Sequence, residues 1–300
     1  MKADKPLELA YPISDLEFSL FQGLIQRHSG IFLSEAKKPM LVLRLARRLR
    51  ALGMDSFRDY YDLVSGSDES ERIAMLDCVC TNETRFFREP EQLEYFERRT
   101  FPFWKQEAES GKRPRRISVW SAGCSTGEEP YSIATMLFRN FPGWKLQVVA
   151  TDISTTALAR ASAAVWPADR LLQVPRQYAK SFVRVPGKDR AMTIDPPVRS
   201  MVRFQRLNLM DQGYLLPFVF DAIFCRNVLI YFDAATRQEV VGRLLERLAP
   251  SGYLMLGQAE CLSSHRDKLA PVAPSAYLHR AAQTVSLLRS HGRATGSANC

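Results

Sequence analysis

The sequence predicts an α/β fold: a doubly wound, mainly parallel sheet behind an all-helical N-terminal domain, with a small antiparallel β-subdomain inserted. Three observations carry this. Residues 14–80 show helix signals only. From about residue 117, short apolar runs alternate with helical patterns, as in a sheet whose parallel strands are joined by crossover helices. Residues 181–206 break that rhythm with Pro186, Gly187, Pro196 and Pro197 between short β-like runs.

In the N-terminal region, 1–80, Ser14-Asp15-Leu16-Glu17 reads as a capping box and Gly30 as the stop of the helix it starts. A second helix is expected from about Ser34 to Leu52, ending at Gly53. Shorter helices are expected from about Ser56 and Ser67. Residues 81–116 read as a linker and ligand-binding segment, whose end, "KQEAESGKRPRR" (105–116), is polar, lacks apolar periodicity and reads as a connector. The α/β domain then runs over 117–283: "ISVWSA", helix 128–140, "LQVVATDI", helix 154–165, "VRFQRLNL", "DAIFCRNVLIYF", helix 234–248 and "GYLMLGQAE". Residues 284–300 are small and polar and are expected to be disordered.

Composition narrows the classes. A hydrophobic content of 46% suits a globular core. No apolar run reaches the ~18 residues of a membrane span. The N-terminus lacks an apolar h-region, so no signal peptide is expected. Six cysteines (Cys78, Cys80, Cys124, Cys225, Cys261 and Cys300) and four isolated histidines lack metal-ligand spacing, so no metal site and a reducing, cytoplasmic setting are expected. A net charge of +9 fits nucleic acid, an anionic membrane surface or an acidic protein partner.

"WSAGCSTGEEPYS" (120–132) occupies the turn between the first strand and the following helix, where a Rossmann fold binds dinucleotides. A dinucleotide site would present G-x-G-x-x-G. Here Gly123 and Gly127 are spaced G-x-x-x-G, and Glu128 and Glu129 stand where a pyrophosphate would sit. Acids there repel phosphate and accept bonds from hydroxyls or an ammonium. S-adenosylmethionine has no phosphate and carries a sulfonium, an ammonium and a ribose diol. Asp152, ending the second strand, suits the ribose hydroxyls; the alternative is a cap on the next helix. For the two glutamates the alternative is a helix dipole preference.

Five ordered stretches then become recognisable: "TNETRFFRE" (81–89), "SAGCSTGEEPYSIA", "ATDIS", "LNL" (207–209) and "FDAIFCRNVLIYF" (220–232). Together they resemble the CheR-type chemoreceptor glutamate methyltransferases over roughly residues 14–281. The resemblance implies a Rossmann-type methyltransferase domain and transfer of a methyl group from S-adenosylmethionine to glutamate side chains, leaving S-adenosylhomocysteine, without metal. It implies a donor pocket of Asn82, Thr84, Arg88, Glu129, Asp152, Asn208, Leu209, Arg226 and Asn227, with Arg88 and Tyr231 at the reacting methyl. Read without it, "RFF" is equally a helix packing edge, Asn208 a turn residue, and "IFCRNVLIYF" a buried strand ending at Tyr231. An Arg-Asn pair interrupting such a strand is unusual, because buried polar groups need partners. Relatives often carry G-H-S-E late in the sheet; this chain has Gly257-Gln258-Ala259-Glu260.

Residues 35–50 hold six cations against one acid, Glu35. At helical spacing Lys37, Arg44 and Arg48 share a face, with Arg47 beside them and Val42, Leu45, Ala46 and Leu49 opposite. This face is either solvated or a dock for a glutamate-rich receptor helix. Interleaved aromatics are missing, which weighs against nucleic acid. The expected partner is a chemoreceptor's cytoplasmic helix, approached by a monomer. A non-catalytic donor-binding scaffold and a nucleic-acid methyltransferase are the rival classes.

Overall fold

A computed structural model describes residues 11–216, 219–262 and 264–280; the expected disordered tail lies outside them. Four helices come first: α1 (Asp15–Ser29), α2 (Lys38–Leu52), α3 (Phe57–Ser65) and α4 (Glu69–Val79). The capping box forms. The Ser14 hydroxyl accepts from the Glu17 N–H at 3.2 Å, and the Glu17 carboxylate accepts from the Ser14 N–H at 2.8 Å. Gly30 caps α1 at φ 73°, and a Cβ there would stand 2.6 Å from Met210 Sδ. The glycine thus ends the helix and lets the helical domain close against the sheet domain. The second helix starts later than Ser34: a 3-10 turn, Glu35–Lys37, precedes it, and Pro39 sits in its first turn, where no N–H is needed. Asp68 rather than Ser67 caps α4, accepting from the Glu71 N–H at 3.0 Å. Phe21, Leu41, Leu45, Leu49, Tyr60 and Met75 form this domain's core.

The expected linker is mostly helical. α5 (Pro90–Tyr95), a π-helical turn at Phe96–Thr100 and α6 (Phe101–Glu109) follow one another, and only 110–115 connects. Phe96, Phe101 and Trp104 bury against the sheet, while the polar "KQEAE" that suggested a linker is the outer end of α6.

The strands, in order, are β1 (Arg116–Ala122), β2 (Lys145–Asp152), β3 (Val165–Pro167), β4 (Phe182–Val185), β5 (Lys188–Ile194), β6 (Val202–Arg206), β7 (Phe220–Cys225), β8 (Leu248–Leu256), β9 (Leu269–Ala273) and β10 (Ala276–His279). The main sheet runs β6-β2-β1-β7-β8-β10-β9, parallel from β6 to β8 and antiparallel beyond. The crossover helices are α7 (Glu128–Asn140), α8 (Thr155–Ala163), the short α9 (Pro196–Arg199) and α10 (Ala234–Glu246). Side chains alternate across β1: Ile117 and Val119 join the core under α7, and Trp120 and Ala122 the core under α10. The strand order turns back between β1 and β7, a crevice where ligands of such sheets bind.

The inserted subdomain is the sheet β3-β5-β4, spanning 165–194 instead of 181–206. Its first strand, Val165–Pro167, is too short to show periodicity. Residues 202–206, expected from sequence both in the insertion and among the runs of the sheet, pair in parallel with β2 (Val148 opposite Val202). Pro196 and Pro197 open α9 and break no strand.

The helical domain is tied to the carboxyl ends of the strands. Asp77 of α4 accepts from both Thr155 and Thr156, N–H and hydroxyl alike, at 2.6–3.1 Å. Gln26 donates to Asp233 at 2.8 Å, and the Phe32 N–H to the Tyr231 carbonyl at 2.8 Å.

Candidate functional site

A cavity of about 350 Å³ opens where β1, β2 and β7 end, with the helical domain as its far wall. All ten residues assigned to donor and methyl from the sequence line it.

The glycine turn builds its floor. Gly123 has φ 84°, and a Cβ there would lie 2.3 Å from Val228 Cγ2, so only glycine fits. Gly127, at φ 97°, leads into α7. Of the two glutamates, one faces the cavity. Glu129 lines it, its Oε1 accepting from the Ser121 hydroxyl at 2.7 Å and its Oε2 3.5 Å from Arg226 Nη1. Glu128 is buried in the turn, accepts from the Thr126 hydroxyl at 2.6 Å, and is not part of the cavity wall. The two positions differ by about 100° around α7, which separates their roles. Burial pushes the Glu129 carboxyl above its ordinary pKa; the Arg226 guanidinium and the Ser121 bond pull the other way.

Asp152 holds the loops at the end of β2. Its Oδ2 accepts from the Ser125 N–H at 2.7 Å and its Oδ1 from the Ser154 N–H at 2.9 Å. Helix α8 is capped by Ser154, whose hydroxyl accepts from the Ala157 N–H at 3.1 Å, so Asp152 is not that helix's cap. Burial raises the Asp152 pKa against the lowering effect of its backbone bonds.

Strand β7 ends at Cys225, so Arg226 and Asn227 follow the strand and do not interrupt it. That removes the apparent conflict of a polar pair inside a buried strand. Arg226 is 5% exposed; it donates to the Arg88 carbonyl and lies 3.2 Å from a Glu89 carboxylate oxygen. Asn227, at φ 58°, donates to the other Glu89 oxygen at 3.3 Å. The chain continues through a 3-10 turn, Leu229–Tyr231. Tyr231 therefore sits on a turn and not at a strand end. It is half-buried on the cavity wall, and burial raises its phenol pKa while Thr81 and Arg88 lower it.

"TNETRFFRE" divides its work. Phe86 and Phe87 pack into the sheet core, Phe87 also reaching the cavity wall, and Asn82, Thr84 and Arg88 line the cavity. Arg88 donates to the Glu83 carbonyl at 3.0 Å and makes no salt bridge among the described residues. Asn208 lines the cavity but spends its amide on structure: Nδ2 donates to the His28 carbonyl at 2.6 Å, and Oδ1 accepts from the Met210 N–H at 3.1 Å. It is a turn residue that also joins the two domains. Leu209 is buried beside it.

Sequence reasoning missed two buried acids, Glu89 and Glu260. Glu89 closes the first motif, and a buried arginine needs such a partner. Glu260 ends the Gly257-Gln258-Ala259-Glu260 stretch.

The basic helix is corrected in part. Arg44 donates to the Val79 and Cys80 carbonyls and, at 3.1 Å, to the Thr81 hydroxyl. Arg48 pairs through two nitrogens with Glu71, which is 5% exposed and also accepts from Tyr60 at 2.8 Å. Both brace α2 against α4 and its end. They share a face with Lys37, but that face is turned onto a neighbouring helix. Arg47 and Lys37 are exposed, Lys37 at the cavity wall.

The cavity offers a ligand one buried and one partly buried carboxylate, amides, a tyrosine hydroxyl and, in Arg88, a guanidinium without a carboxylate partner among the described residues. Arg226 also keeps a buried Nε without a partner among the described residues. A ligand with hydroxyls and cationic groups matches the acids, whose charge burial disfavours until such donors arrive. The volume suits a mid-sized molecule. Among the described residues no group of three or more His, Cys, Asp or Glu could hold a metal ion, and no helix is long and apolar enough to cross a membrane.

Comparison with known proteins gives the same residues a family. The family model described as "CheR methyltransferase, SAM binding domain" matches residues 82–278, and "CheR methyltransferase, all-alpha domain" matches 16–80. The chemotaxis protein methyltransferase of Escherichia coli (strain K12) is 38% identical over 258 residues, covering 84% of this chain and 86% of that one. That of Borreliella burgdorferi is 33% identical over 266 residues, covering 87% and 93%. Chemotaxis protein methyltransferase 2 of Pseudomonas aeruginosa is 34% identical over 250 residues, covering 81% and 86%. With both domains matched, at residues 16–80 and 82–278, the chain belongs to the CheR methyltransferase family.

Proposed function

We propose that this chain transfers the methyl group of S-adenosylmethionine to glutamate side-chain carboxylates on the cytoplasmic helices of chemoreceptors. The observation that carries the reading is the Arg88 guanidinium, free of any salt bridge among the described residues, beside the carboxylates of buried Asp152 and partly buried Glu129 and beside Tyr231 in one cavity.

The donor supplies an electrophilic methyl on a sulfonium, which leaves as a neutral thioether. Glu129 and Asp152 accept bonds from its hydroxyl and ammonium groups and hold it in place. Asn82, Thr84, Asn208, Leu209 and the Arg226–Asn227 corner complete that wall. The acceptor needs no general base: a glutamate with a pKa of ~4.3 is already ionised at neutral pH. Arg88 orients the incoming carboxylate by a charge-assisted bond. Tyr231 places a hydroxyl and a ring face beside the sulfonium's charge. These groups align oxygen, methyl and sulfur and strip water from the carboxylate. Of Lys37, Arg44, Arg47 and Arg48, Lys37 and Arg47 are the exposed cations left to meet an acidic receptor helix. The protein acts in the cytoplasm, as a monomer and without a metal. The names of its relatives support a chemotaxis role.

Tritiated methyl transfer from labelled donor tests this. A receptor cytoplasmic fragment should acquire label that base releases as methanol, whereas RNA and DNA should not. Base-stable label, or label on nucleic acid alone, would reject it.

A further inference from the structure

We infer that Glu260 is the positioning residue that sets the 226–231 turn, and through it the places of Asn227 and Tyr231. This rests on the assignment of that turn to donor and methyl. Glu260 is 3% exposed and does not line the cavity, so it acts through other residues. Its Oε2 accepts from the Gly257 N–H at 2.6 Å and the Asn227 N–H at 2.8 Å; its Oε1 accepts from the Ile230 N–H at 3.1 Å. One carboxylate thus ties the end of β8 to both ends of the turn after β7.

The turn needs an outside brace. Asn227 is held at φ 58°, a left-handed backbone that asparagine tolerates better than other side-chain-bearing residues and that its surroundings still have to select. Three backbone N–H groups converge on a single carboxylate, and an unmet buried donor is costly. Gly257 shows how closely the parts fit. A Cβ there would lie 2.6 Å from Asn227 Nδ2, 2.8 Å from Asn227 N and 2.8 Å from Glu260 Oε2. The first and last residues of the Gly257-Gln258-Ala259-Glu260 stretch therefore serve one contact, and the histidine that relatives often carry at its second position has no part in it.

The test uses the full chain, with S-adenosylhomocysteine as binding probe and methyl transfer to a receptor fragment as rate. Glu260→Gln keeps the size but turns an amide toward N–H donors. Binding should weaken, and kcat at saturating donor should fall, each by about tenfold or more, the scale of one orphaned buried donor. The deciding readout is coupling. In an Asn227→Ala background Glu260→Gln should weaken binding little further, and in a Tyr231→Phe background it should lower kcat little further. Effects that multiply in both backgrounds would overturn the inference, as would wild-type binding and turnover in Glu260→Gln. If Glu260→Gln fails to fold, Gly257→Ala, which removes no hydrogen-bonding group and displaces Asn227, replaces it in both backgrounds: little further loss supports the brace, and multiplying losses overturn it. Failure of the wild type to methylate receptors would reject the proposed function alone, because the binding cycle still reads the brace.

Discussion

Arg226 Nη1 stands 3.5 Å from Glu129 Oε2, joining the end of β7 to the first turn of α7 at the cavity wall. The arginine side chain is almost wholly buried and its remaining partners are the Arg88 carbonyl and Glu89. Removing Glu129 therefore does two things at once: it deletes a wall of the cavity and leaves a buried cation half paired. Glu129→Ala is expected to weaken S-adenosylhomocysteine binding by more than Glu129→Gln, which keeps an acceptor for Ser121. Calorimetry on the two variants checks the order; affinities equal to the wild type in both would remove Glu129 from the donor site.

Asp152→Ala should cost ~1–3 kcal/mol of donor binding, the range for orphaned hydroxyl partners. It also frees the Ser125 and Ser154 N–H groups, so the glycine turn loosens. Asp152→Asn separates these effects, since it retains one acceptor for the backbone. Unchanged donor affinity in both variants would remove Asp152 from ribose binding.

The pH dependence follows from burial. The carboxyls of Glu129 and Asp152 have folded pKa values above their ordinary 4.5 and 3.8. Each binds protons more readily folded than unfolded, so each lowers stability as pH rises through the interval from its ordinary to its raised pKa. A donor that favours the ionised acids has the opposite pull. Its affinity should fall as pH drops into that interval, and binding there should release protons. Calorimetry in buffers of differing ionisation enthalpy reads the release; proton uptake on binding would reverse the assignment.

The helical domain and the strand–helix alternation were legible in the sequence because they rest on local signals, and the family resemblance named residues that the fold brings to one cavity. The Ser14 capping box, Gly30 and the Gly123–Gly127 turn each name their own geometry. What stayed hidden depends on distant partners. Arg48 looks like a solvated cation until Glu71 and Tyr60 are brought beside it by the packing of α4. Arg226–Asn227 looks like an interrupted strand because the strand's end is fixed by pairing with β1 and β8. The β3 strand is three residues long, too few for any period.

Arg48 should prove structural. Arg48→Ala leaves the buried Glu71 carboxylate with Tyr60 but no cation, and breaking a buried pair costs about 3 kcal/mol. Thermal unfolding should show the loss, and Glu71→Gln in the same chain should recover part of it. An unshifted Tm would mean the pair contributes nothing.

On the proposed reading, Lys37 and Arg47 are the cations of this helix face that meet an acidic receptor helix. Reversing both to Glu should raise the receptor KM and leave donor affinity intact. Single exposed charges give ~0–1 kcal/mol each, so both must be changed together. Wild-type receptor affinity should fall with added salt, as screening shortens to ~8 Å at physiological ionic strength. An unchanged KM at low salt would return this face to solvent.

Arg88→Ala and Tyr231→Phe are expected to lower turnover far more than donor affinity, the signature of groups acting in the transition state. Near-normal turnover in either variant would remove that residue from the reacting methyl.

The most direct measurement is the chemical identity of the methylated atom. A receptor cytoplasmic fragment incubated with this protein and S-adenosylmethionine should yield, on tandem mass spectrometry, methyl esters on glutamate side chains of its helices, absent when Arg88→Ala replaces the wild type. Methyl groups found on nitrogen, or on no receptor residue under saturating donor, would contradict carboxylate methylation as the reaction of this site.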